Sequence, residues 1–381
     1  MIHFRPGSHA YDIVSVIGIT GEFPYRSVRL FGNARTYKVL IGRLCEVQTF
    51  RDYNSGDEMT CRLLTVTGKS FGKTVRLYKA AIPILRWISP YAEENYLCAS
   101  WNHGFPGDIS HTERNHRVAE AAIMCIRAGI ESRPYELPKL QNEVIKRMEF
   151  NQPSFYFAKS LKHIGLTEMN KTMFTRIAGS IFINHNCYAV YNTRNAVMKW
   201  NGMGEFKTLH SLIEVARLNA GVSQIDTAIL FGESYKTAYK TMLENQKNRR
   251  LEFRFDGIYR HIHFVPMNEF GIRLLKILII PDRKQRLLDL LFEPECRSND
   301  LGAFEYDAYI DGVYVLSFLD SDIARLMRFS EARSCRTEML EVLCFPEQVE
   351  LIKNYLGSDV SIKTIGLEQI EDALSGGDAN G

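Results

Sequence analysis

The stretch that most constrains this chain is NARTYKVLIGRLCE, from Asn33 to Glu46. Asn33 carries a side-chain oxygen suited to capping a helix start. Tyr37, Leu40, Ile41 and Leu44 then recur at i, i+3, i+4 and i+7, the spacing of one buried helix face. Arg35, Val39 and Gly42 fall on the opposite side, with Thr36, Lys38 and Arg43 on the flanks. A basic outer face with a small residue at its centre suits close approach to a polyanion.

The neighbours of this segment give it a context. Ala10, Ile13, Val14 and Ile17 share a face, which predicts a helix over His9–Ile19, ended by Gly21 and Pro24. Tyr25–Phe31 is long enough for a two-turn helix, and Gly32 breaks it before the Asn33 cap. Val47–Arg51 and Met59–Val66 read as strands around the turn cluster Asn54-Ser55-Gly56-Asp57. Three helices and a hairpin are the order of a winged helix, a relative of the helix-turn-helix. On that reading the DNA-contacting residues are Arg35, Thr36, Lys38 and Arg43 on the third helix, with Arg51 and Arg62 on the wing.

Thr67–Thr74 (TGKSFGKT) has the look of a P-loop, but only three residues separate Gly68 from Gly72 where that motif needs four. It is read instead as a basic turn, with Lys69 and Lys73 near the DNA backbone, leading into a helix over Thr74–Ile88 that Pro83 kinks.

Charge is distributed unevenly. Residues 1–90 hold 13 lysines and arginines against 6 acidic residues, a balance of +7. The whole chain carries only +3, so the remainder carries −4. A basic head on a mildly acidic body is the footprint expected of a protein whose head meets phosphate. The eight cysteines form no CxxC pair, which argues against a zinc ribbon or a disulfide framework. The chain shows neither a signal-peptide pattern nor an apolar run of roughly 20 residues. The apolar run at Ile272–Ile280 is interrupted by Arg273 and Lys276. A cytoplasmic location without membrane contact is therefore expected.

Beyond the head, a helix capped at Ser110 or Thr112 is expected to run to about Ala128, with Gly129 as its C-cap. Tyr96–Ser100 reads as extended, Asn102–Ile109 as a loop, and residues 140–165 as helical around Pro153. From Ile177 strands and helices alternate. Hairpins are expected at Ser180–Tyr191 and Tyr306–Leu316, and a strand at Ala196–Trp200 before a Gly-Met-Gly turn. Further strands are expected at Thr227–Phe231, Arg260–Pro266, Met339–Phe345 and Val360–Ile365, with helices between them. The expected organisation is α+β or α/β and multidomain. A winged-helix domain spans 1–90, a helical extension 91–165, a mixed α/β body 166–375 and a disordered tail 376–381.

A basic three-helix head, the step Leu64-Thr65-Val66-Thr67-Gly68 after the wing, and the helix HTERNHRVAEAAIMCIRAG over His111–Gly129 together resemble the replication-relaxation family. These are DNA-binding proteins of plasmids and conjugative elements, and the resemblance covers roughly residues 1–165. It implies an accessory role in replication, DNA relaxation or transfer of a mobile element. The expected partners are double-stranded DNA, a replication or transfer protein, and a second copy in a homodimer.

Catalytic alternatives in the body are weaker. Glu205-Phe206-Lys207 has the E-x-K spacing of a metal-dependent nuclease, with Asp226 and Asp256 elsewhere, but Glu205 opens a predicted helix. Tyr188 and Tyr191 lie near His185, an arrangement suited to a nicking tyrosine, yet no histidine cluster accompanies them. His261 and His263 share one strand face but lack a third ligand nearby in sequence. No catalytic residue, metal or cofactor is assigned. A targeted nuclease or nicking enzyme, or a transcription regulator, is the alternative function.

Overall fold

The computed structural model describes residues 1–101, 109–138, 140, 149–161, 176–198, 203–222, 225–248, 254–298, 305–333 and 339–376. The chain is a mixed α/β protein and divides into two units. Unit 1 holds Met1–Leu140 and Ser154–Ser160; unit 2 holds Gln141–Pro153 and Leu161–Gly381.

Unit 1 opens with strand β1 (Ile2–Phe4) and helix α1 (His9–Thr20). Ser8 caps α1 by accepting from the Tyr11 amide at 3.4 Å. Gly21 ends it at φ 79°, donating its N–H to the Ile17 carbonyl at 2.7 Å. Isoleucines 13 and 17 and Val14 are fully buried, and α1 packs on α4 (Ile109–Arg127). Between these lie strand β2 (Phe23–Pro24), a 3-10 helix over Tyr25–Phe31, and helix α2 (Ala34–Leu44). The expected two-turn helix at 25–31 is thus a tighter 3-10 coil, held between Pro24 and Gly32 at φ 147°.

Strands β3 (Val47–Asp52) and β4 (Glu58–Arg62) form the expected antiparallel hairpin, with β1 parallel to β3 on the other side. The strand expected over Met59–Val66 is in fact two. Buried Leu63 donates its N–H to Leu44 and accepts at its carbonyl from Tyr78, which breaks the β4 ladder. The chain then enters a second hairpin, β5 (Leu64–Thr67) with β6 (Thr74–Leu77), and β6 pairs antiparallel with β2. The helix expected over Thr74–Ile88 is corrected accordingly. Thr74-Val75-Arg76-Leu77 is a strand, as its β-branched pair favours, and a 3-10 helix containing Pro83 covers Lys79–Trp87. Tyr96–Ser100, expected to be extended, is helical: α3 (Ala92–Tyr96) passes into a wider π turn over Leu97–Trp101. Strand β7 (Ser154–Phe157) joins Glu131, where the Phe155 amide donates to the Glu131 carbonyl at 2.7 Å. The short helix α5 (Ala158–Leu161) follows. The loop expected at 102–109 lies outside the described residues except for Ile109, which opens α4, and residues 141–148 and 162–165 of the expected helical stretch lie outside them too. Where 140–165 is described it is corrected: Ser154–Phe157 is a strand, as its aromatic run favours, and only Ala158–Leu161 is helical.

A buried polar network ties α4 to this sheet. Glu22 is fully buried and accepts from Arg76 Nε at 3.0 Å and Nη2 at 2.7 Å, and from Asn115 at 3.1 Å. His116 Nε2 meets Thr74 Oγ1 at 3.0 Å, and Ser27 donates to buried Glu120. Removing one member of such a buried pair strands the other charge and costs about 3–5 kcal/mol.

Unit 2 repeats one topology. In its first half, β8 (Ile177–Ile183) and β9 (Asn186–Arg194) are an antiparallel hairpin. Helix α6 (Met203–Ala220) leads to β10 (Thr227–Gly232), parallel to β9. Helices α7 (Tyr235–Gln246) and α8 (Phe255–Ile258) lead to β11 (His261–Pro266), parallel to β10. Helices α9 (Glu269–Leu278) and α10 (Arg283–Leu291) follow, divided at Pro281. The second half repeats the order: hairpin β12 (Ala308–Ile310) and β13 (Val313–Ser317), helix α11 (Ile323–Arg333), strand β14 (Met339–Cys344), helix α12 (Val349–Leu356), strand β15 (Ser361–Thr364), helix α13 (Leu367–Gly376). Strands β13, β14 and β15 are again mutually parallel. The strand expected at Ala196–Trp200 is absent over 196–198, and the Gly-Met-Gly turn gives way to α6 from Met203. Among the described residues no helix is long and apolar enough to cross a membrane, and the described cysteines are free.

Candidate nucleic-acid interface

Helix α2 forms as its sequence dictates. The Asn33 side chain accepts from the amides of Arg35 at 3.0 Å and Thr36 at 3.2 Å. Tyr37, Ile41 and Leu44 are buried. The Tyr37 ring stacks on Phe31 at 5.4 Å, and its hydroxyl meets His9 Nδ1 at 3.1 Å. Burial pushes the Tyr37 phenol up to about 12. With this face anchored, Arg35, Thr36, Lys38, Val39, Gly42 and Arg43 all stand exposed. A Cβ on Gly42 would meet nothing within 4 Å, so no packing contact inside the protein requires glycine there.

The other expected site residues fall on two separate hairpins. Arg51 and Arg62 occupy the outward side of β3 and β4. Arg51 stands across from Glu58 in the ladder without an ion pair between them, whereas Arg62 faces Val47. Lys69 and Lys73 flank the turn of the β5–β6 hairpin and are exposed, with the Lys73 ammonium over the Tyr25 ring at 5.9 Å. None of Arg35, Lys38, Arg43, Arg62 or Lys69 pairs with an acidic side chain among the described residues.

That turn is tightly built. Gly68 sits at φ 82°, and a Cβ there would lie 2.5 Å from the Gly72 carbonyl oxygen. The Gly72 amide donates to the Lys69 carbonyl at 3.0 Å, and Thr74 Oγ1 donates to the Gly72 carbonyl at 3.1 Å. Phe71 is lifted to the tip and is 80% exposed. Sequence reasoning passed over Phe71; its signal was an aromatic residue at the centre of a Gly-Lys-Ser-Phe-Gly-Lys turn.

Unit 2 gathers a different set of charges. His261 Nδ1 meets Asp322 Oδ2 at 2.6 Å, and their separation of 61 residues explains why the sequence hid the pair. Asp322 Oδ1 accepts from the amides of Ile262, Ala324 and Arg325 at 3.0–3.1 Å, capping α11. Burial alone would raise the Asp322 carboxyl, yet the His261 hydrogen bond and the nearby Arg325 hold it well below the usual carboxylate range. Arg325 in turn donates to Asp307 at 2.7 Å, deep in the unit.

His263, Asp320 and Asp322 bring three possible metal-ligand atoms within 4.8 Å of one another. Their bonding does not fit a cation. His263 donates from Nδ1 to the Asp320 carbonyl at 2.8 Å, and its Nε2 accepts from Arg283 at 2.5 Å, so both ring nitrogens are already engaged. Burial, with Arg283 beside it, pushes the His263 imidazole down to about 4. A cavity of about 200 Å³ opens here, lined by Asn186, Tyr188, Thr227, His261, Arg283 and Asp320 among others. It lies at the N-terminal ends of parallel strands β9, β10 and β11, opposite the end where open α/β sheets usually bind ligands.

The catalytic alternatives fare no better. Glu205 lies on α6, buried and paired with Arg176 at 3.4 Å, while Lys207 is exposed. Tyr191 is fully buried with its hydroxyl on Tyr259 at 2.9 Å, and Tyr188 accepts from Arg283 at 3.4 Å. Compared with protein-family models, with curated proteins and with solved structures, the chain matches none of them.

Proposed function

We propose that unit 1 binds double-stranded DNA, with α2 entering the major groove and the β5–β6 turn against the adjoining backbone. The observation that carries this reading is the outward face of α2: Arg35, Lys38 and Arg43 are exposed and free of acidic partners among the described residues. At 11 residues α2 is about 16 Å long, suited to a groove about 12 Å wide. The pairing order β2-β6-β5, with β2 between the first two helical segments and the β5–β6 hairpin after the third, supports a winged helix in which the wing is the 68–73 turn. The β3–β4 hairpin, expected to be the wing, is then an insertion between the third helix and the sheet. Lys69 and Lys73 join the phosphate contacts, and Arg51 contributes less because the acidic Glu58 stands at the neighbouring ladder position.

The biological setting is the accessory DNA-binding role in replication or transfer of a mobile element implied by the resemblance of residues 1–165. Unit 2 then serves for self-association or for recruiting a replication or transfer protein. The test is a gel shift on duplex DNA with the double variant Arg35→Ala/Lys38→Ala. Loss of at least tenfold in affinity, with an unchanged circular dichroism spectrum, is expected because each good base or phosphate contact contributes about 1–3 kcal/mol. Unchanged binding rejects the assigned face.

A further inference from the structure

We propose that Phe71 is a wedge that unstacks a base step and kinks the duplex, so that this protein bends the DNA it binds. The inference rests on the DNA-binding reading above and deepens it. An aromatic side chain 80% exposed at the apex of a tight turn is costly in water and has no packing role in the fold. The turn presents it rigidly. Thr67 pairs with Thr74 at its base, Gly68 is held at φ 82° against Gly72, and Ser70 adopts φ 48°.

Its flanks fit the same ligand. Lys69 and Lys73 stand on either side of Phe71 and would neutralise the phosphates bordering a single step, while the ring enters the stack between them. Apolar residues inserted in this way trade the cost of unstacking for a bent duplex that meets more protein surface. Bending by roughly 20–90° is the usual consequence. Pyrimidine–purine steps open most easily, so the wedge should favour TA and CA/TG steps. A phenylalanine on a slack loop would not impose this geometry; one carried on a glycine-braced turn, with a lysine two residues to either side in sequence, does.

The experiment uses the full chain and a duplex of about 25 base pairs. The duplex carries donor and acceptor dyes at its ends and 2-aminopurine beside a central TA step. Binding is followed separately by anisotropy. The expected result is a shortened end-to-end distance and raised 2-aminopurine fluorescence on saturation. Both signals should be lost in Phe71→Ala and largely retained in Phe71→Leu, while affinity falls by less than about tenfold because unstacking offsets much of the stacking gain. If the wild-type chain binds but leaves the duplex straight, or if Phe71→Ala bends it equally, the wedge is overturned and the DNA-binding reading stands. If the wild-type chain binds no duplex at low salt, both are overturned.

Discussion

Two groups of charged side chains in this molecule have opposite circumstances. On α2 and the β5–β6 turn of unit 1, Arg35, Lys38, Arg43 and Lys69 are exposed and unpaired among the described residues. In unit 2, His261, Asp322, Arg325, Asp307 and His263 are wholly or largely buried, and each bonds to a named neighbour. The contrast separates charge that is available to a ligand from charge that holds a fold. Exposed cations are well hydrated and cost the fold little, whereas each buried ion depends on its partner for its existence in the interior.

Substitutions can test that division, and the largest effect is expected in unit 2. Arg325→Met leaves Asp307 buried without its guanidinium and should lower stability by about 3–5 kcal/mol in chemical denaturation. Duplex affinity should be unchanged wherever the variant remains folded. A loss of affinity in the folded variant would blur the division.

The next effect is a pH dependence. His263 is neutral in the folded state, with its imidazole lowered to about 4, while the unfolded chain protonates near 6.5. Its contribution is therefore complete above about pH 6.5 and lost as pH falls toward 4, on the order of 3 kcal/mol. Denaturation midpoints measured from pH 7 to 4 should decline over that window, and His263→Gln should flatten the decline. A profile identical to wild type would show that His263 is not the group responsible.

In unit 1 the effects on stability are smaller. Asn33→Ala removes the cap accepting from two α2 amides and should cost about 1 kcal/mol. Gly42→Ala should do the reverse, adding about 0.5–1 kcal/mol because the site is helical and open. If Gly42 gives the duplex close approach, the same variant binds more weakly while melting higher. Tighter binding would place the groove-facing surface elsewhere.

How much of this was legible in the sequence depends on the range of each interaction. Helix α2 and its cap were readable because Asn33, Tyr37, Ile41 and Leu44 each lie within four residues of the next. The hairpin turn at Asp311-Gly312 was local in the same way, and the structure pairs Ile310 with Val313 around it. Strand β6 was not readable. Its run Thr74–Leu77 pairs locally with Leu64–Thr67, but it is only four residues long and continues into an apolar stretch with helical spacing; its further pairing with Phe23 and Pro24, some fifty positions earlier, was beyond the reach of local pattern. The Glu22–Arg76–Asn115 network and the His261–Asp322 pair were hidden for the same reason. Asp322 left one trace, an acidic residue just before the apolar-periodic helix Ile323–Arg333, where an N-cap is expected. Of the expected site residues, all eight are exposed, but they fall on three separate elements: α2, the β3–β4 hairpin and the β5–β6 turn.

The central claim is that the exposed cations of unit 1 meet phosphate. Anisotropy titrations of the full chain on a duplex across a range of salt concentrations test it most directly. A steep linear fall of log affinity with log salt is expected, by about 0.9 for each phosphate neutralised. A slope shallower by about 2 is expected in the double variant Lys69→Ala/Lys73→Ala. Affinity that is flat with salt, or a slope unaltered by removing both lysines, would contradict the claim.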